Sequence, residues 1–571
     1  MKIPSAPNMN YAWSQLIVRE LLRLGVRGFF VAPGSRSSPL ALTVAELASD
    51  QLTVHFDERG LGFMALGCAR ATGRPAVIIT TSGSAVANLF PAVCEAAMDE
   101  VPLMLLTADR PPELRDCGAN QAMDQVRIFG SYARWFCDVP CPSKDLPPSF
   151  LLGTIDEAFF AATGRSPGPV HLNQMFREPL APERNSDGAA VWLKSAGSWW
   201  TSQEPMTRHS AMLSKPSLAE LLPVVRGARR GLVVAGAARH AAETDAMLQI
   251  AAKLGWPLLP DIRSGLRLVK SHPQIIAMAD QILLKERSNL KPDVVLHVGG
   301  RVTSKRMMKL MREAHVMHVS ATPARIDPDH VVRARAVCSL SHVASQLDGA
   351  TRTPTSWLSL WKNLDRSVAK IWHEIVHAGD VLDEPLVAAS VSRMLAKGEI
   401  LYLASSMPVR DMDMFGVGVH AACTVVANRG VSGIDGTIAS AVGYAKGAGA
   451  PVTLLIGDLA LLHDLNSLAL VAVAKVPVKV VVVNNNGGGI FSFLPVAGAG
   501  KHYETCFGTP HGMRDFSAAA KQFGIAYRQP VHGDELKEAL GLSGAAVIEI
   551  KTTRRENARI HAAYQDRLRG V

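Results

Sequence analysis

The sequence predicts an α/β protein of three doubly wound, parallel-sheet domains. Three observations predict it. The chain has 571 residues, 48% of them hydrophobic and 19% charged, which is enough apolar material for several well-filled cores and far from the composition of a disordered chain. Short Val/Ile/Leu-rich runs alternate with helical stretches along the whole length, the pattern of parallel strands covered by helices on both faces. Polar stretches at APERNSDGAA and DGATRTPTSW separate those runs into three sets, each of roughly the size usual for a domain.

The first domain, residues 1–185, opens with a helix. Trp13, Leu16, Ile17, Leu21 and Leu24 recur at helical spacing, and Gly25 supplies the stop. GVRGFFVAPGSRSSPL then reads as a buried strand entering a Gly/Ser-rich loop. The unit recurs at TVHFDERG, PAVIITTSGSA and VPLMLLTADRP, each expected to lead into a helix, and the domain closes near GPVHLNQMFREPL. Residues 186–205 read as a linker, in which Trp199 and Trp200 are expected to anchor the chain against a domain. Strands at RRGLVVAGAARHA, GWPLLPDIRSG, DVVLHVGGRV and AHVMHVSATP make a central domain over 206–350. GLVVAGAARHA lacks a clean G-x-G-x-x-G with an acidic partner, so it reads as a tight strand-to-helix connection and flavin is not implied. The third domain, 351–571, carries GEILYLASSMPVRD, CTVVANRG, APVTLLIGDLA, VPVKVVVVNNNGGGIF and AAVIEIKTT.

Composition narrows the function classes. The formal net charge of +10 comes from 60 basic against 50 acidic residues. They are scattered without a basic run, which favours small anionic ligands over nucleic acid. The most apolar stretch, Leu468 to Val483, is interrupted by Lys475, Pro477 and Lys479, so no membrane span is expected. Cys68, Cys94, Cys117, Cys137, Cys141, Cys338, Cys423 and Cys506 form no C-x-x-C pair and are expected to be reduced thiols. MKIPSAPNMNYAWSQ has no apolar signal-peptide core.

The strongest chemical signal lies in the third domain. Gly457 and Asp458 end the strand PVTLLI, and Asn485 follows 27 positions after Asp458 at the end of KVVVV. Separately these are an Asp helix cap and an Asn-Gly turn. Together, on adjacent parallel strands, they would bring the Asp458 carboxylate, the Asn485 amide oxygen and the Gly487 carbonyl to one C-terminal sheet edge, where open α/β sheets bind ligands. Such hard oxygen donors suit Mg²⁺, which keeps waters and phosphate oxygens in the rest of its octahedron. The helix beginning after Leu459 would offer N–H groups to those phosphates.

A Gly-Asp followed about thirty residues later by an Asn pair resembles the diphosphate-and-Mg²⁺ motif of thiamine-diphosphate enzymes, with Leu459 where the usual third residue is Gly. GDLALLHDLNSLAL and VVVNNNGGGIFSFLP resemble, more narrowly, the 2-succinyl-5-enolpyruvyl-6-hydroxy-3-cyclohexene-1-carboxylate synthases of menaquinone and phylloquinone biosynthesis. So do APGSRSSPL, FDERGLGFMALG, TADRPPEL, GANQAMDQ, GPVHLN, SKRM and NRGVSGIDG across the whole chain. The resemblance implies pyrimidine-binding, central and diphosphate-binding domains, thiamine diphosphate with Mg²⁺ (or Mn²⁺), and a homodimer or homotetramer with sites at the subunit interface. It implies a transferase that decarboxylates 2-oxoglutarate and adds the succinyl-semialdehyde unit to isochorismate in a 1,4 sense.

The same resemblance assigns residues. Glu58, in HFDERG at a strand end, matches the carboxylate that sets the aminopyrimidine tautomer, and its neighbours Phe56, Leu61 and Phe63 are expected to bury it. Alone it reads as a helix-start Glu between Asp57 and Arg59. Ile434 matches the bulky side chain that bends the cofactor, and Ile490 and Phe491 match the apolar wall at the reacting carbon. Gly457, Asp458, Leu459, Asn485 and Gly487 match the diphosphate and metal positions. Both substrates are dianions, and Arg36, Arg110, Lys305, Arg306, Arg410 and Arg429 match anion-binding positions, with Ser35, Gln121 and Ser406 as neutral hydrogen-bonders. His55 and His463 read as packed or hydrogen-bonding side chains. An acetolactate-synthase-like carboligase and a non-catalytic binding protein with the same fold are the rival readings. The expected compartment is the cytoplasm, or a plastid for a plant or algal form.

Overall fold

In a computed structural model of the chain, three parallel sheets are laid down in sequence order. The structure describes residues 4–185, 188–209, 218, 221–269, 272–347, 355–418 and 424–571. Cys423 and most of the DGATRTPTSW stretch lie outside the described residues; the other seven cysteines are free thiols.

The first sheet comprises β1 (Phe29–Val31), β2 (Leu52–Val54), β3 (Ala76–Thr80), β4 (Leu103–Asp109), β5 (Trp135–Val139) and β6 (Pro169–Met175). Its order is β2-β1-β3-β4-β6-β5, with every neighbouring pair parallel. The second holds β7 (Gly231–Ala235), β8 (Leu258–Pro260), β9 (Val294–Val298), β10 (His315–Ser320) and β11 (Val332–Val337), in the order β11-β10-β9-β7-β8. The third holds β12 (Ile400–Leu403), β13 (Thr424–Ala427), β14 (Val452–Gly457), β15 (Val478–Asn484), β16 (Ala526–Arg528) and β17 (Ala546–Lys551), in the order β13-β12-β14-β15-β17-β16. The expected fold class is therefore present. The first helix runs Met9–Arg23, with Gly25 in the left-handed region just beyond it.

Three strands carry no clear signal in the sequence: β5, β11 and β16, each at a sheet edge and none of them fully buried. A half-exposed edge strand lacks the continuous apolar run by which a central parallel strand is read. TADRPPEL leads not into a helix but into a short 3₁₀ turn at Pro112–Leu114. The first linker is partly folded too: Ala189–Lys194 is helical, and Trp199 and Trp200 join the core of the first sheet's helices, as the aromatic pair suggested.

Two compact units emerge. One contains Met1–Ala211 with Asn428–Gly449 and Asp464–Val476; the other contains Met212–Ala427, Ala450–His463 and Pro477–Val571. In the first, the helix Thr437–Ala448 packs on the helix Glu58–Thr72 at very close range. A Cβ at Gly67 would fall 2.0 Å from the Ser440 carbonyl, and one at Gly443 would fall 1.9 Å from the Met64 carbonyl, so only glycines permit this crossing. In the second unit, apolar faces of the second and third sheets share one core with the long amphipathic helix Thr355–Ala378, whose Trp357, Trp361 and Trp372 are buried.

Candidate cofactor and substrate site

In the second unit, β14 and β15 are neighbours in register, with Gly457 opposite Val483. Asp458 and Asn485 thus leave the C-terminal ends of adjoining strands, where the spacing placed them. The Gly487 amide donates to Asp458 Oδ2 at 2.9 Å, which joins the two loops. The Leu459 amide donates to Asp458 Oδ1 at 2.7 Å, and His511 Nε2 lies 3.1 Å from Oδ2. Gly487 has φ +135°, and a Cβ there would stand 2.0 Å from the Gly508 carbonyl. A side chain is excluded, so the backbone itself borders the site. The helix expected after Leu459 is only a six-residue stretch, Asp458–His463.

Asn485 carries the observation that matters most for a metal. Its side chain is 9% exposed, and its Nδ2 donates to Glu384 Oε1 at 2.9 Å. Its Oδ1 is buried with no hydrogen-bond partner. A buried amide oxygen left unpaired costs about 1–3 kcal/mol, and a cation beside it would remove that cost. No cluster of three or more His, Cys, Asp or Glu among the described residues could hold a metal. The donor set here is instead carboxylate, amide oxygen and carbonyl, which fits Mg²⁺. Ile490 and Phe491 follow on a 3₁₀ segment, Gly489–Phe493, half-buried rather than in the core.

The first unit collects a second set at the C-terminal edge of its sheet. Ser35 is exposed on the 3₁₀ turn after β1, and Arg36 beside it is buried, donating to the Phe176 carbonyl at 3.0 Å and lying 3.4 Å from Glu178. Arg110 follows β4 and donates to the Asn120 carbonyl at 2.6 Å; the neighbouring Gln121 receives Ser82 Oγ at its backbone carbonyl, 2.8 Å away. Beneath them lies a buried polar web. Asp109 accepts from Asn173 (2.8 Å) and Arg115 (2.6 Å), and Gln125 bridges Asn173 and the Gly83 amide. Burial pushes the Asp109 carboxyl up, and Asn173 and Arg115 oppose it.

Glu58 departs from expectation in two ways. β2 stops at Val54, and Glu58 is the first residue of the helix Glu58–Thr72, capped by Asp57. Its expected apolar enclosure is incomplete: Leu61 and Phe63 turn into the core, but Phe56 is 63% exposed and Glu58 is only half-buried. Sequence neighbours at a helix start do not share one direction, so three nearby apolar residues need not surround a carboxylate. Asn88 Nδ2 donates to its Oε2 at 3.5 Å. His55 is buried against Phe56, whereas His463 is exposed.

Arg429 and Ile434 sit on the NRGVSGIDG loop of the same unit. Glu95, 1% exposed on the helix Phe90–Met98, clamps that loop: its Oε1 accepts from the Gly430 amide at 2.8 Å and its Oε2 from Val431 at 2.7 Å. Arg70 stands 3.7 Å from Glu95 and donates to Asn428 Oδ1 at 2.7 Å. Burial, then Asp99, pushes the Glu95 carboxyl up, while Arg70 and the two amides pull it down.

The remaining basic residues belong to the second unit. Lys305 is exposed at the start of the helix Lys305–Met311, while Arg306 is paired with Asp280. Ser406, at φ +72°, precedes the helix Met407–Phe415, and the Arg410 guanidinium donates back to its carbonyl. Burial lowers the Arg410 pKa and Asp411 opposes it. Asp411 is held by His561 at 2.8 Å. Glu384, Glu95 and Asp109 went unnoticed in the sequence; the available signal was a lone carboxylate among apolar helix or strand residues, which implies a buried partner.

The fold and these two sheet edges define a thiamine-diphosphate enzyme. Family models agree: "Thiamine pyrophosphate enzyme, N-terminal TPP binding domain" matches residues 12–128, "Middle domain of thiamine pyrophosphate" 190–403, and "Thiamine pyrophosphate enzyme, C-terminal TPP binding domain" 417–550. Curated relatives narrow the class. The 2-succinyl-5-enolpyruvyl-6-hydroxy-3-cyclohexene-1-carboxylate synthase of Rubrobacter xylanophilus is 46% identical, covering 99% of both chains. Those of Salinibacter ruber and Chlorobaculum tepidum are 44% and 41% identical, covering 97% of this chain and 96% and 97% of theirs. The chain belongs to the 2-succinyl-5-enolpyruvyl-6-hydroxy-3-cyclohexene-1-carboxylate synthase family of thiamine-diphosphate-dependent transferases.

Proposed function

We propose that this chain decarboxylates 2-oxoglutarate and joins the remaining four-carbon unit to isochorismate by 1,4-addition, releasing CO₂ and 2-succinyl-5-enolpyruvyl-6-hydroxy-3-cyclohexene-1-carboxylate for menaquinone or phylloquinone synthesis. The observation that carries the reading is the meeting of Asp458, Gly487 and Asn485 at one sheet edge, with the Asn485 oxygen buried and unpaired. Asp458, Asn485 Oδ1 and the Gly487 carbonyl would hold Mg²⁺, or Mn²⁺, against the cofactor's diphosphate, with Gly457 and Leu459 lining it. Bound thiamine diphosphate supplies the electron sink for CO₂ loss and carbon–carbon bond formation.

The chain's residues supply orientation, charge and proton control. Glu58 would hold a proton at its carboxylate opposite the aminopyrimidine ring, Ile434 would support the cofactor, and Ile490 and Phe491 would line the reacting side and exclude water. Two dianionic substrates need four countercharges. Arg36, Arg110, Lys305, Arg306, Arg410 and Arg429 provide them, helped by Ser35, Gln121 and Ser406. Arg36 and Arg306 are already aimed by Glu178 and Asp280, which holds their planar forks in place before substrate arrives. The family resemblance completes each site from two subunits, so we take the active form to be a homodimer or homotetramer. No helix among the described residues is long and apolar enough to cross a membrane, and we place the enzyme in the cytoplasm.

The test is CO₂ release from 2-oxoglutarate, measured with and without isochorismate and with pyruvate as competing donor. Isochorismate-dependent consumption of 2-oxoglutarate supports the reading. Preference for pyruvate would make the protein an acetolactate-type carboligase instead.

A further inference from the structure

We infer that Glu384 is a positioning residue whose carboxylate turns the Asn485 amide so that its oxygen, not its NH₂ group, faces the cation; the inference rests on the metal reading above. An Asn side chain is nearly symmetric in shape, and either end fits the same space. What fixes the choice is the neighbour. A carboxylate oxygen that already takes a hydroxyl proton is an acceptor, so it calls for a donor from the amide.

Glu384 is built for that task. It occupies the first position of the helix Glu384–Met394, buried to 3% exposure. Its helix start is capped by Asp383, which accepts from the Leu386 amide at 2.8 Å and from the Tyr564 hydroxyl at 2.6 Å. One oxygen, Oε1, accepts both Asn485 Nδ2 at 2.9 Å and Thr552 Oγ1 at 3.1 Å. Thr552 stands just past β17, and its own amide donates to the Asn484 carbonyl at 2.9 Å. Glu384 is therefore tied to the ends of β15 and β17 at once. Were Asn485 reversed, two acceptor oxygens would face each other in a buried site and the NH₂ group would point where the cation must sit. The unpaired Oδ1 is thus the consequence of the Glu384 bond, and it is available to a metal because that bond exists.

This relation is the outer support that metal ligands require, whose loss typically costs roughly 10–100-fold in metal affinity. The experiment measures Mn²⁺ affinity of the full-length protein by electron paramagnetic resonance, with thiamine diphosphate present. Glu384→Leu keeps the volume and removes the acceptor, and is expected to weaken Mn²⁺ binding by about 10–100-fold, with thermal unfolding followed alongside because two buried donors lose their acceptor. Glu384→Gln keeps an oxygen that can accept both donors and should stay within a few-fold of the parent. The double variant Glu384→Leu/Asn485→Asp should recover affinity, because a carboxylate presents oxygen whichever way it is turned. Parent-like affinity in Glu384→Leu, or a double variant as weak as the single, overturns the inference. If Glu384→Leu does not fold, a loss greater than tenfold in Glu384→Gln overturns it, because then charge and not acceptor position matters. Asp458→Ala separates the two readings: affinity unchanged there removes the metal site itself, whereas affinity lost there and kept in Glu384→Leu removes only the role of Glu384.

Discussion

Glu95 and Gly430 lie 335 positions apart and meet through a 2.8 Å hydrogen bond, with the other Glu95 oxygen taking the next amide along the loop. Both oxygens of a buried carboxylate are thereby spent on two successive backbone donors. The loop they hold carries Arg429 and Ile434, so its position is set from a helix in the first sheet's domain.

Glu95→Gln should therefore damage substrate use more than folding. The amide keeps the shape but offers an NH₂ group to one of two donors, leaving that donor unpaired at a cost of about 1–3 kcal/mol. If Arg429 pairs with a substrate carboxylate as proposed, we expect the KM of that substrate to rise roughly five- to a hundredfold, since ~1.4 kcal/mol is a factor of ten. Steady-state kinetics beside thermal unfolding provide the check. A lowered Tm with unchanged KM would make Glu95 a packing residue only.

Glu58→Gln should leave thiamine diphosphate bound and cut turnover by the ~10²- to 10⁴-fold typical of a general acid–base group. A glutamine can still hydrogen-bond the ring but cannot exchange the proton. Hydrogen–deuterium exchange at thiazolium C2 of the bound cofactor reads the role directly. Exchange at the parent rate would sink the assignment. Glu58 is half-buried in the single chain; if the proposed subunit assembly completes its enclosure, the exchange should also slow when the subunits are diluted apart.

What the sequence made legible follows a physical line. β15, VKVVVVN, is central and nearly all buried, and a continuous apolar run declares itself. β5, β11 and β16 are not central and alternate or half-expose their residues, so nothing in them stands out from loop. Asp458 and Asn485 were readable because each directly follows such a central strand. Their alignment needed only that the strands be neighbours, which they are. Glu95 and Glu384 were not readable, because what makes each matter is a partner 335 or 101 positions away. The enclosure of Glu58 is not legible in the sequence because helix geometry, not sequence proximity, decides which neighbours cover a side chain.

A pH effect on stability is expected from the linker anchor. Glu20 and Asp156 are both fully buried. Glu20 accepts from Trp199 Nε1 (2.8 Å) and the Met206 amide (2.5 Å), and Asp156 accepts from the Thr207 amide (2.6 Å). Burial first, then the Glu20 charge, pushes the Asp156 carboxyl up to about 7. Arg23, 3.7 Å from Glu20, is the nearby cation, and His209 faces Glu157 on the same helix as Asp156. A carboxyl raised in the folded state favours folding below its unfolded pKa of about 4 and loses that advantage as pH climbs to about 7. Asp156→Asn mimics the protonated form, giving Glu20 a donor and Thr207 an acceptor. Calorimetry from pH 5 to 8 should show the variant gaining on the parent as pH rises, each kcal/mol appearing as ~2–4 °C in a domain of this size. Identical pH slopes would show that the pair does not titrate in this window.

The last expectation divides the two substrates. Arg110 and Arg410 each spend part of a guanidinium on a local carbonyl, of Asn120 and Ser406 respectively, and neither has a carboxylate partner among the described residues' ion pairs. Each is therefore oriented by a neutral backbone acceptor, which leaves guanidinium N–H groups over for a substrate carboxylate. If Arg110, Arg410 and Gln121 hold isochorismate, their loss should spare CO₂ release from 2-oxoglutarate alone. Removing one partner of a desolvated charge pair costs about 2–5 kcal/mol, or tens- to thousands-fold in affinity. Arg410→Ala should then raise the isochorismate KM by that factor, while single-turnover CO₂ release without isochorismate stays near the parent rate. If, as proposed, both substrates draw on the same basic residues, a smaller rise in the 2-oxoglutarate KM is expected alongside. If Arg410→Ala instead fails at CO₂ release and binds isochorismate normally, Arg410 belongs with the donor substrate, and Lys305 and Arg306 become the residues to test for isochorismate.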